Sequence, residues 1–287
     1  MIRLSMENVN AVKTNSGTTP RGWWLPFAAL ALIYLPALID LVVNWYEDAN
    51  YSHGFLIPFM SGYLLYRKRQ LLAANVGRID ASGLWLVAAG MFLFIVANGA
   101  AEYFTIRFSL VVTLFGLVYF LFGSKMIRCC WFELAFLVFM IPIPYVIYYS
   151  ATLPMQLAAS KITVATLNLL GAGAVRQGNI IHLGGITLEV AEACSGIRSL
   201  VSLAALGAIY AYLTLKHNGA RTLLFISTAP VAIIANVARV FVSAVLAYGA
   251  SVDVTVEPTH SIMGLIVFVV AFILLALIAG LLRRIFE

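Results

Sequence analysis

The sequence predicts an all-α polytopic membrane protein, a bundle of about eight transmembrane helices with a short outer hairpin ahead of the sixth, and three features predict it. Of its 287 residues, 62% are hydrophobic and only 10% are charged, with a mean hydropathy of +0.97. A soluble core of this length needs far more surface charge, whereas a bilayer accepts apolar surface on every side of a helix bundle. Apolar runs close to the length that crosses ~30 Å of hydrocarbon at ~1.5 Å per residue recur along the chain. Basic residues collect in alternate connections between those runs.

Residues 1–22 read as a polar cytoplasmic tail rich in Asn, Ser and Thr, and residues 23–287 as a single transmembrane domain. The first apolar run starts at Trp23; it is too long for a cleaved signal peptide and lacks an Ala-x-Ala-like exit. Spans are expected at 24–44, 52–66, 84–101, 107–123, 131–149, 195–215, 222–247 and 261–282. Arg3, Lys13 and Arg21 precede the first, and Arg67, Lys68, Arg69 and Arg78 follow the second. Lys125 and Arg128 follow the fourth, Lys216 and Arg221 the sixth, and Arg283 and Arg284 the eighth. The opposite connections carry Glu47, Asp48, Glu102, Glu189, Glu192, Asp253 and Glu257, with Lys161 and Arg176 as their basic residues. Both termini are therefore expected in the cytoplasm of a cell whose inner membrane holds the chain. The net charge of +6 and pI near 9.3 follow from the same loops, and no basic stripe interleaved with exposed aromatics points to nucleic acid.

The longest outer connection runs from Ser150 to Ala193. Its first half reads as a helix at or dipping into the interface, bracketed at its start by Pro142, Pro144 and Pro154. Its second half, Ala174 to Val190, alternates apolar and polar residues around Gly184-Gly185, as a short hairpin does. No internal repeat supports a transporter built from inverted halves.

Three residues carry the chemistry. Cys194 opens the sixth span, where a helix N-terminus and nearby cations favour the thiolate; the plain alternative is an inert small apolar residue. Cys129 and Cys130 fall on the cytoplasmic side, so Cys194 has no expected disulfide partner in the chain. Arg239 lies inside the seventh span, at a depth where a guanidinium needs water, a carboxylate or another polar partner. It serves either a site or a structural ion pair with Glu192, Asp253 or Glu257, and Asn236, three residues earlier on the same face, shares its pocket. His260 stands at the outer mouth of the eighth span, where an imidazole titrates near neutrality; a loop histidine without a role is its alternative. The topology puts all three on the outer half of consecutive spans, which usually neighbour one another. Gly-x-Ser-Gly, His-Glu-x-x-His and Gly-x-Gly-Asp signatures and phosphate-binding loops are missing from the sequence. His53, His182 and His260 match no metal-site spacing, so neither metal nor cofactor is expected.

Ala193-Cys194-Ser195-Gly196-Ile197-Arg198-Ser199, then Asn236-Val237-Ala238-Arg239-Val240, then His260 before an apolar span containing Gly264, together resemble the exosortase/archaeosortase family of membrane cysteine transpeptidase-like enzymes. Tyr51-Ser52-His53-Gly54, Pro142-x-Pro144 and Gly178-Asn179 add to the likeness, which covers the chain from about Trp23; Ser261 departs from it, standing where many bacterial relatives have an acidic residue. The resemblance implies cleavage of a C-terminal sorting signal on exported proteins, in bacterial relatives a short Pro-Glu-Pro motif, a transmembrane helix and a basic tail. It further implies Cys194 as nucleophile, Arg239 as oxyanion binder and His260 as acid–base group. Arg198 either assists the oxyanion or pairs with Glu192 or Glu189, and Ser195 stands beside the nucleophile. His53 is a candidate for substrate binding or for a supporting, purely structural place. The expected partners are such exported proteins, membrane lipid, and water or a lipid or polysaccharide amine as acceptor. A flippase of a lipid-linked saccharide, using Arg239 and Arg107 on phosphate, is the competing function, and a non-catalytic membrane scaffold the third.

Overall fold

In hydrocarbon a helix satisfies its own backbone groups, and this chain is mostly helical. The protein is described by a computed structural model over residues 22–190, 197–250 and 259–287; at 197, 198, 250 and 260 the description covers the backbone alone. It divides into two units, Met1–Pro142 and Ile143–Glu287.

The first unit starts with α1 (Trp24–Ile33) and α2 (Leu35–Glu47), bent by 65° at Tyr34. Pro36, in the first turn of α2, has no N–H and its ring crowds the carbonyl one turn back, so the expected first span is broken. Tyr34 is fully buried at the bend, with its hydroxyl 2.8 Å from Ser109 Oγ. A 3-10 turn (Ser52–Phe55) leads into α3 (Leu56–Arg67) and the short α4 (Arg69–Ala74). Then α5 (Gly83–Gly99) packs antiparallel on the first half of α6 (Tyr103–Phe136). Small residues set that closeness: a Cβ on Gly90 would sit 2.2 Å from Thr113 Oγ1, and one on Gly116 2.5 Å from Val87 N.

Within α6, Gly123 is non-helical, with φ 81 and ψ 176. Such a φ is open to glycine at little cost. The chain turns back there, because Leu114, Phe115 and Val118 before it pack on the same cluster as Met126, Cys130 and Leu134 after it. The second half runs antiparallel to α3: Ser61 Oγ donates to Glu133 O at 2.7 Å, and Lys68 Nζ to Cys129 O at 2.7 Å. The same ammonium is 2.8 Å from the carboxylate of Glu133, which is fully buried. A 3-10 turn (Leu137–Met140) follows, and Trp45 Nε1 donates to Met140 O at 2.8 Å.

The second unit opens with α7 (Tyr145–Leu169), which begins at once after Pro144 in extended conformation. A continuous span over 131–149 was expected; Pro142 and Pro144 interrupt it instead, and the helix restarts and runs through Pro154 to Leu169. The expected hairpin is a three-stranded antiparallel sheet, β1 (Val175–Gln177), β2 (Ile180–Leu183) and β3 (Ile186–Glu189), in that spatial order. Gly178-Asn179 makes the second turn that the reading of one hairpin overlooked. Ile181, Leu183 and Leu188 face inward onto Ala159 and Leu167 of α7 and onto Val240 and Ala244 of the later helix α9 (Asn218–Ala250). At the β2–β3 turn, a Cβ on Gly184 would lie 2.3 Å from the ring of Tyr248. α8 (Ile197–Thr214), α9 and α10 (Thr259–Phe286) pack around Leu203, Leu224, Ala232 and Leu275.

Among the described residues, three helical segments are long and apolar enough to cross a membrane, Tyr103–Met140, Asn218–Gly249 and Ser261–Phe286, and the bent α1–α2 pair, taken as one span, makes a fourth. α5 and α8 are apolar but shorter than the test length over their described residues, so eight crossings do not follow from length and composition.

Candidate functional site

A small cavity opens where α8, α9 and α10 meet, lined by Ser199 from α8, Asn236 and Arg239 from α9, Gly264 from α10, and otherwise by apolar side chains. About 10 Å³ is left for the centre of a water molecule, which is room for roughly one water. Arg239 is 8% exposed and Asn236 4%, so two hydrogen-bonding side chains one turn apart meet an enclosed space in an otherwise apolar bundle. α9 runs three residues past the expected end of its span, which sets Arg239 about three turns below the helix end.

Glycine matters at 264. A Cβ there would stand 3.6 Å from Arg239 Nη2, in ordinary van der Waals contact, so the guanidinium lies flat against α10 at that point. Position 260 is one turn earlier on the same face of α10. Position 198 is the second residue of α8, beside Ser199. The three consecutive helices expected to converge do so, and they bring Arg239 and Asn236 into one pocket. Cys194 and Ser195 lie outside the described residues, three and two positions ahead of Ile197, as do Glu192, Asp253 and Glu257.

His53 belongs to the first unit, in the 3-10 turn before α3. Its ring hydrogen-bonds to the backbones of Phe139 and Asn50. It thus ties the α2–α3 connection to the end of the Tyr103–Met140 segment. Arg107 is also in the first unit, buried and ion-paired with Asp40, so the cation a phosphate-binding reading would need already holds a carboxylate. His182 Nδ1 is 3.2 Å from Thr187 Oγ1 across the exposed face of the sheet. Among the described residues, no group of three His, Cys, Asp or Glu side chains is placed to hold a metal ion. Cys129 and Cys130 are free thiols in the second half of α6.

Two features escaped the sequence reading. Ser199 lines the cavity; it closes the Cys194 motif quoted above, two residues into the sixth helix, but was given no role there. On α7, the helix expected at or dipping into the interface, Thr152, Gln156, Ser160 and Thr163 form a buried polar stripe at helical spacing. Ser160 Oγ holds Gly178 O at 3.1 Å, tying that stripe to the sheet.

Apolar helices of spanning length define an integral membrane protein. The chain belongs to the transmembrane exosortase family: the family model described as Transmembrane exosortase (Exosortase_EpsH) matches residues 45–277. Searches of curated proteins and of solved structures return no match.

Proposed function

We propose that this protein is a membrane cysteine peptidase, with transfer to an amine as its second outcome, that removes the C-terminal sorting signal of exported proteins at the outer face of the inner membrane. The observation that carries the proposal is the Arg239–Asn236 cavity, because it lies between α8, which begins three residues after Cys194, and α10, whose second residue is His260. Family membership supports the same chemistry.

In this reading the Cys194 thiolate attacks the scissile carbonyl carbon, and the oxyanion is met by the Arg239 guanidinium and backbone N–H groups at the start of α8. The C–N bond then breaks, the amine leaves with a proton from His260, and a thioester remains on the sulfur. Water or an acceptor amine, on a lipid or polysaccharide, gives up a proton to His260 and attacks the thioester, restoring the thiol. Asn236 holds the guanidinium or the substrate carbonyl, Arg198 and Ser195 support the nucleophile's surroundings, and His53 keeps the α2–α3 connection in place. Residues 23–287 act as one domain that crosses the bilayer eight times with both termini cytoplasmic; the family match across both units and the reversal at Gly123 support this count. The substrates are exported proteins ending in a short motif, one apolar helix and a basic cluster, held in membrane lipid.

Cys194→Ala tests the assignment in cells that also express a reporter with such a tail, taken from the same genome. Processing is expected to fall by about a thousandfold or more, while immunoblotting finds the variant in the membrane at the wild-type level. Continued processing contradicts the assignment.

A further inference from the structure

Among the described residues β3 is an edge strand, and its ladder has a definite phase. Val190 N donates to Asn179 O at 3.0 Å, which makes 179–190 a hydrogen-bonded pair. Pairs alternate along an antiparallel ladder, so Ile181–Leu188 and Leu183–Ile186 are bonded in the same way and face β2. The N–H and C=O groups of Thr187 and Glu189 then point away from β2, and among the described residues they have no hydrogen-bond partner. Both side chains are exposed, while Ile186 and Leu188 turn inward. An open edge cannot lie in hydrocarbon, so these four backbone groups lie outside it and stay available for a polar partner. Glu189 is also five residues before Cys194, at most ~18 Å along an extended chain.

We propose that the outer edge of β3 is the docking strand for the substrate, and that the extended peptide flanking the scissile bond adds to it through the main-chain groups of Thr187 and Glu189. The proposal rests on the peptidase reading and adds how the peptide is held. A peptide bound by strand addition is gripped by its backbone, whatever its sequence, while alternate side chains meet the pockets. Here the alternate positions on the wet face lie beside Thr187 and Glu189, with His182 bonded to Thr187, so polar side chains fit them. The sheet is buttressed from within by α7 and α9, and α9 is the helix that carries Arg239. A strand added at this edge therefore lies on a sheet packed against the helix that lines the cavity.

Proline distinguishes the edge from the ladder. At 187 or 189 it removes an outward N–H and leaves the bonds to β2 intact, a position that edge strands tolerate. Arg176 on β1 gives the matched control: it pairs with Ile181 across the other interface, its own backbone groups point out of the opposite edge, and it plays no part in docking. In full-length protein and with the tailed reporter, Thr187→Pro and Glu189→Pro are each expected to raise KM about tenfold through lost main-chain hydrogen bonds. Arg176→Pro leaves KM unchanged, and alkylation of Cys194 by iodoacetamide keeps its rate in all three. A second measurement does not depend on turnover. With Cys194→Ala to stop the reaction and Thr187→Cys as the probe, a cysteine scan of the reporter's motif should form disulfides at every second residue. Unchanged KM in the 187 and 189 proline variants, an equal loss in Arg176→Pro, or disulfides without the two-residue period overturns strand docking. Processing by Cys194→Ala alone overturns the peptidase reading instead, so the two failures are separately visible. If the proline variants also lose alkylation, the disulfide pattern decides.

Discussion

The two units set their buried cations in different surroundings. In the first, Arg107 meets Asp40, and Lys68 meets a Glu133 that has no exposed surface; each cation is matched by a carboxylate on another helix. In the second, Arg239 and Asn236 are equally buried but border a water-sized space, with glycine across from the guanidinium. The pairs of the first unit tie helix to helix. A guanidinium that borders a cavity can in addition meet a group that enters it. Arg107 and Arg239 stand in apolar stretches of the sequence, whereas Lys68 sits in the Arg67-Lys68-Arg69 run of an expected cytoplasmic connection.

The comparison breaks first, and most visibly, at Arg239. Arg239→Ala is expected to lower processing by about a thousandfold with the protein still inserted, and Arg239→Lys is expected to recover little because a point charge does not reproduce the planar fork. If Arg239→Ala instead removes the protein from the membrane while activity per molecule survives, Arg239 belongs with the pairs of the first unit. Lys68→Met should show the reverse pattern. It strands a buried carboxylate and costs about 3–5 kcal/mol, whereas Lys68→Met with Glu133→Leu recovers most of that loss; detergent-solubilised thermal unfolding of the three proteins measures it. The smallest effect is at His53. Its ring hydrogen-bonds to the backbones of Phe139 and Asn50, and His53→Ala, which removes both bonds, is expected to cost about 1–2 kcal/mol in the same unfolding measurement; an unchanged midpoint would show that these bonds carry no weight.

Much of the second unit's site was legible because helix period and membrane depth constrain few residues tightly. Asn236 and Arg239 had to share a face, and a buried guanidinium had to find a polar setting, so their meeting in one cavity needed no tertiary information. Positions 260 and 264 likewise fell on one face of a single apolar helix. The first unit was less readable. Nothing local to Lys68 announces that its partner is Glu133, since the pairing depends on how α3 lies against the second half of α6. The break at Tyr34 was written in Pro36, but hydropathy alone runs straight through it. The three-stranded sheet shows the same limit: Gly184-Gly185 marked one turn, whereas the turn at Gly178-Asn179 takes effect only once Ile181 and Leu183 find α7 and α9 to pack on. The buried stripe on α7 kept helical spacing in plain view, yet whether that face met water or protein depended on a neighbour distant in sequence.

The central claim is that Cys194 carries the peptide as a thioester beside the Arg239 cavity. The direct test is to quench the full-length protein during turnover of the tailed reporter and map covalent adducts by mass spectrometry. A hydroxylamine-sensitive adduct of the reporter's N-terminal product on Cys194, absent from Cys194→Ala, is expected. An adduct on another residue, or product formation by Cys194→Ala with no adduct at all, would contradict that claim.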